Sequence, residues 1–157
     1  MTFNARCSAG VIAILCAVVQ VIFQAAIALG LPLGKASWGG ATEDEDTQLP
    51  SSLRIVSGVA SVVYAFFVSA LVQASGLPMV TASCYSDGLV RGVLWFLVIF
   101  LCLETILNWA SPSPTERYIW GPFLLVFDAS CIVLLHQWRK MPTSDAQGSP
   151  TEESALV

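Results

Sequence analysis

Charge is what this chain has least of. Only 11% of its 157 residues are Asp, Glu, Lys or Arg, where soluble domains carry about 25%. So few charges cannot coat a water-soluble globule of this size. No cluster of basic residues is present, so no nucleic-acid partner is expected. The single histidine, His136, falls at the end of an apolar run and reads as an interfacial residue rather than a metal ligand. The five cysteines, Cys7, Cys16, Cys84, Cys102 and Cys131, form no Cys-x-x-Cys pair. That argues against a quinone-linked thiol oxidoreductase. Cysteines inside apolar runs behave as small hydrophobes, although Cys7, beside the first run, is a candidate for acylation in a eukaryotic host. There is no metal-ligand spacing, and no metal or cofactor is expected. The two halves do not repeat each other in loop length or polar positions, which argues against an inverted-repeat transporter.

Long apolar runs are what the chain does have. It is 55% hydrophobic, with a mean hydropathy of +0.72. A helix crossing the hydrocarbon core needs about 20 apolar residues, and four runs qualify, at about 9–31, 53–74, 89–110 and 119–138. The expectation is an all-α, integral membrane four-helix bundle with antiparallel, up-down topology. It occupies residues 1–140, and 141–157 reads as a disordered polar tail. The first run follows Arg6 as a signal peptide would, but it outlasts the ~7–15-residue core of a cleavable one. It therefore reads as the first helix. The turn 111–117 is short enough to make the third and fourth helices neighbours.

Four spans put both termini on one side. That side collects Arg6, Arg91, Arg139 and Lys140, and the other collects Lys35, Arg54, Arg117 and the acidic run 43–46. Positive charge favours the cytoplasmic side, so both termini are expected there. The acidic run has the chemistry to hold a hard cation, but it lacks a glycine-containing coordinating loop and reads as a solvated stretch.

A charged side chain in mid-bilayer costs at least ~2.5 kcal/mol, so polar residues within the runs carry information. Counted from the loop end of each run at 1.5 Å per residue, Glu104 lies about 9 Å deep and Gln24 about 10 Å. Asp128 and Gln20 lie about 15 and 16 Å deep. The matched depths suggest two stacked layers, Gln24 with Glu104 and Gln20 with Asp128. They serve either as interhelical glue or as a proton, ion or ligand site. Asn108 stands one turn from Glu104 on the same face. Ser57, Ser61 and Tyr64 make a mildly polar stripe on the second run.

In the turn, Pro112 stops the third helix, Ser113 or Thr115 can cap the fourth, and Glu116 suits its N-terminus. Arg117 and Arg54 share this side. With neighbouring Ser and Asn groups they could hold a phosphate or carboxylate; otherwise Arg117 meets lipid head groups or Glu116. Trp38, Trp109 and Trp120 suit a membrane interface.

Three segments carry a resemblance. Trp38-Gly39-Gly40, Leu49 to Ser57 with its Leu-Pro-x-x-Leu-Arg-x-x-Ser spacing, and Asn108 to Arg117 with Asn-x-x-Ser-Pro-Ser-x-x-Glu-Arg bracket three of the four runs in order. The set resembles a group of small, uncharacterised four-helix membrane proteins common in bacteria. The resemblance implies the fold and carries no activity. The acidic insertion, the cysteine-rich runs and the tail are departures from that pattern.

Three functional readings follow. The first is a non-enzymatic membrane protein with a polar pocket opening away from the termini, formed among Gln20, Gln24, Trp38, Arg54, Glu104, Asn108, Glu116, Arg117 and Asp128. It would bind a small anionic or lipid ligand, or serve as an accessory subunit of a larger membrane complex or a homo-oligomer. The second is a lipid-modifying enzyme with Glu104 or Asp128 as acid or base. The third is a proton-linked transporter or channel subunit titrating at Asp128.

Overall fold

The structure, a computed structural model, describes residues 2–40, 48–77 and 84–138. The acidic run, the Arg139-Lys140 pair and the tail lie outside the described residues. Helix α1 is Thr2–Ala28, α2 is Ser51–Ser75, α3 is Asp87–Ala110 and α4 is Gly121–Trp138. A π-helical turn, Glu116–Trp120, leads into α4. All four helical segments are long and apolar enough to cross a membrane. Their outward side chains are apolar as well: Val62, Leu107 and Ile99 are 72%, 68% and 58% exposed. An apolar surface on every helix is untenable in water and matched to lipid. The chain is a multi-pass integral membrane four-helix bundle.

Helices α1, α2 and α3 start earlier than the apolar runs. Ser51 and Asp87 are polar, but the first turn of a helix has unsatisfied N–H groups that favour such residues. At α3, the Ser86 hydroxyl accepts from the Leu89 N–H at 3.3 Å. Helix α1 stops three residues short of Leu31. Gly30 takes a left-handed φ of 92°, and the Leu31 N–H bonds Ala26 O at 3.0 Å while the Gly30 N–H bonds Ile27 O at 2.9 Å. These two bonds form a Schellman cap.

Helix α1 packs along both α2 and α4, α3 packs along α4, and α2 meets α3 over a short length only. Small residues bring α1 and α2 close together. Ala13 and Ala17 are fully buried, Gly10 presses on Ser75, and a side chain at Gly58 would lie 3.6 Å from Ala28. Close backbone approach of this kind holds membrane helices together. The Ser61 hydroxyl adds a bond to Val21 O at 3.1 Å. Where α2 meets α3, aromatic rings fill the gap, with Phe67 and Phe96 centroids 5.8 Å apart.

Each helix of the α1/α2 pair lends an arginine to the other's C-terminus. Arg6, near the start of α1, donates from Nε to Ala74 O at 2.8 Å. Arg54, near the start of α2, donates from Nη2 to Ala28 O at 3.2 Å. Each guanidinium lies against a left-handed glycine, Gly76 and Gly30, where an added Cβ would sit 2.9 and 2.8 Å from arginine atoms. Unpaired carbonyls and the negative end of the helix dipole both favour a cation there. Arg6 is also stacked 5.2 Å from the Trp138 ring centre, a cation–π contact that ties in α4.

Candidate functional site: a polar cavity at the distal end

The distal end is the one opposite Thr2 and Trp138. The described parts of loop one, residues 29–40 and 48–50, and the turn 111–115 meet there. Trp38, Gly39 and Gly40 take successive left-handed φ values of 55°, 73° and 72°. Glycine follows twice because L side chains resist that region. The turn presents the Gly39 N–H to Glu116 Oε1 at 2.7 Å. Ser113 donates its hydroxyl to Lys35 O at 3.1 Å and accepts the Glu116 N–H at 3.5 Å, so Ser113 rather than Thr115 caps this helix start. The Trp120 indole donates to Ala36 O at 2.9 Å. Three bonds thus lock loop one onto the start of the fourth span.

The π turn contributes to this locking. Its closing bond runs from the Gly121 N–H to Glu116 O, five residues back. One extra residue in the turn lets Glu116 and Trp120 both reach loop one. Gly121 lies so close to the Trp109 indole that no Cβ fits.

Beneath this roof is a cavity of about 390 Å³, lined by Gln20, Phe23, Gln24, Trp38, Glu104, Asn108, Glu116 and Trp120, among others. That size suits a small ligand or a head group. Glu104 Oε2 accepts the Tyr64 hydroxyl of α2 at 2.9 Å. Asn108 donates to Glu104 O at 2.9 Å. Gln24 Oε1 is buried with no hydrogen-bond partner. Trp38 donates its indole N–H to Ser57 Oγ at 3.3 Å.

The two-layer arrangement expected from depth does not form. Because α1 ends at Ala28, Gln24 lies about 6 Å and Gln20 about 12 Å below the helix end. They bracket Glu104, so all three reach one cavity. Glu104 takes its bond from Tyr64, and no hydrogen bond joins it to Gln24. Asp128 is absent from the cavity lining. It is 8% exposed, and its Oδ1 has no partner.

Nor do the two arginines make an anion site. Arg54 is committed to the end of α1 and borders a separate hollow with Ala28, Ser51, Ile55 and Gly58. Arg117 is exposed and donates to Ser111 O at 2.7 Å, not to Glu116. The sequence reading missed the part played by Tyr64 in the site, although it saw the stripe. The three hydroxyl-bearing residues of that stripe have separate partners: Ser57 faces loop one, Ser61 α1 and Tyr64 α3. Ser111 of the Asn-x-x-Ser-Pro-Ser segment also lines the cavity, as do Phe23 and Ser37, which nothing in their local sequence marks. Among the described residues no group of three or more His, Cys, Asp and Glu side chains is placed to hold a metal ion. Set against known protein families, curated proteins and solved structures, the chain matches none.

Proposed function

We propose that this is a non-enzymatic membrane protein whose distal pocket binds a small polar molecule or the polar head of a lipid. In this reading both termini face the cytoplasm and the pocket opens on the opposite side. The observation that carries it is convergence. Polar side chains from α1 and α3, with Glu116 of the π turn and Trp38 of loop one, border one 390 Å³ space. In a bundle that needed only interhelical glue, such groups would pair with one another. Here Gln24 Oε1 is left over, and a buried acceptor without a donor costs about 1–3 kcal/mol. The lining contains no histidine or cysteine, which favours binding over covalent chemistry.

Native mass spectrometry of the full chain, extracted in mild detergent, tests this reading. One bound small molecule or lipid per chain is expected. Gln24→Trp, which fills the cavity, should weaken retention at least about tenfold. A chain that retains nothing, and whose thermal midpoint is unmoved by extract of its own membrane, overturns the reading.

A second reading rests on Asp128, whose buried carboxylate oxygen has no donor and stands apart from the cavity. A proton-linked transporter or channel subunit would use it as the titrating group. Asp128→Asn should then abolish pH-dependent flux in reconstituted vesicles, whereas flux that is unchanged or never present assigns Asp128 to packing.

A further inference from the structure

The lining of the distal cavity has a sign. Among the described residues it contains two carboxylates, Glu104 and Glu116, and no lysine or arginine. Lys35 stands next to Ala36 of the lining but is not itself part of it, and Arg54 and Arg117 donate to backbone carbonyls at Ala28 and Ser111. Donors and acceptors around the cavity are also out of balance. The Trp38 and Trp120 indole N–H groups are engaged with Ser57 Oγ and Ala36 O. The Tyr64 and Ser113 hydroxyls and the Gly39 N–H are likewise spent on protein acceptors. The remaining side-chain donors are chiefly the Gln20 and Gln24 amides and the second Asn108 proton, all uncharged. Against them stand the two carboxylates. Aromatic rings belong to the wall as well: Phe23 and Trp120 centroids are 4.3 Å apart, and Trp38 is in the same lining.

We infer that the cavity recognises an organic ammonium group. This rests on the pocket-binding reading above and names the ligand's chemistry. Carboxylates supply the charge, and the indole faces, whose N–H edges are engaged elsewhere, supply cation–π attraction. An anion would meet two carboxyl groups and no cationic side chain of the described lining. The volume admits a head group or a small free amine rather than a whole lipid. The ammonium could therefore arrive on a soluble amine or on an amine-headed phospholipid.

The test uses the full chain in nanodiscs of phosphatidylglycerol, read by tryptophan fluorescence and thermal midpoint. Choline is compared with its uncharged isostere, in which a tert-butyl group replaces the trimethylammonium, and with inorganic phosphate. Ethanolamine is added free in one arm and as phosphatidylethanolamine in the nanodisc in another. Choline or ethanolamine should bind at least about tenfold tighter than the isostere, and Glu104→Gln and Glu116→Gln should each erase that preference. Protection by free amine identifies a soluble ligand, and protection only by phosphatidylethanolamine identifies a lipid head. Equal binding of the isostere, or tighter binding of phosphate, overturns the ammonium assignment and leaves the pocket standing. No response to any probe, together with an empty chain in native mass spectrometry, overturns both. The choline-against-isostere comparison needs no variant, so a variant that fails to fold does not blunt it.

Discussion

At the terminal end of the α1/α2 pair, Arg6 lies across the last turn of α2; at the distal end, Arg54 lies across the last turn of α1. Both arginines face a left-handed glycine. Beyond that likeness the ends diverge. At the terminal end Trp138 of α4 stacks on the guanidinium. At the distal end loop one and the π turn arch over a cavity lined by two carboxylates, with Gln24 Oε1 left unpartnered beside it. The comparison separates two uses of polar residues in one bundle. The arginines neutralise helix ends, a demand of any membrane helix whose terminal carbonyls lack water. Glu104 and the two glutamines of the distal cavity answer no such demand, and the functional reading rests on them.

Three experiments break or sharpen this comparison. The largest effect is expected from Gly30→Val and Gly76→Val. A left-handed conformation costs an L residue about 1–2 kcal/mol, and displacing the guanidinium removes a charge-assisted bond as well. Each variant should lose about 3 kcal/mol of unfolding free energy, measured by steric trapping in bicelles. A Gly76 variant as stable as the parent would end the equivalence of the two caps.

Next come Arg6→Gln and Arg54→Gln, each expected to lose about 2 kcal/mol. Because they act at opposite ends, the double variant should be additive within about 0.5 kcal/mol. Arg54→Gln should leave the choline affinity unchanged. A large drop would return Arg54 to the ligand site and contradict its assignment as a helix cap.

The smallest effect is Trp120→Phe. It deletes the bond to Ala36 O and should cost about 1 kcal/mol. Hydrogen exchange should quicken across residues 34–40 and stay unchanged around Ala74 to Gly76. Quickening at both ends would mean that the roof and the terminal cap open together.

Much of this architecture was legible in the chain. The number of spans follows from the ~30 Å hydrocarbon thickness and the lengths of the apolar runs. That loop one and the turn 111–115 share an end follows from parity alone. Boundaries were less legible because hydropathy counts the middle of a helix and not its ends. Ser51 and Asp87 look like loop residues but belong to first turns, while Gly30 looks apolar but ends α1. The resulting shift in depth turned two expected layers into one cavity. The π turn left no sequence mark, since its extra residue is a matter of hydrogen-bond register.

The amino-acid sequence by itself determined that this protein has four membrane-crossing helices, alternating in direction, with its polar side chains concentrated toward the end away from the termini. Burial of apolar surface in lipid enforces that outcome whatever the details of packing. Tertiary structure alone decided what each polar group faces. Arg54 and Arg117 turned to backbone carbonyls, Tyr64 took the carboxylate that Gln24 had been expected to meet, and Asp128 stayed outside the cavity. The physical reason is reach. A hydrogen bond tolerates only a few tenths of an ångström, and the rotation of one helix against another, set by small residues such as Gly10, Gly58 and Gly121, moves a side chain by far more than that.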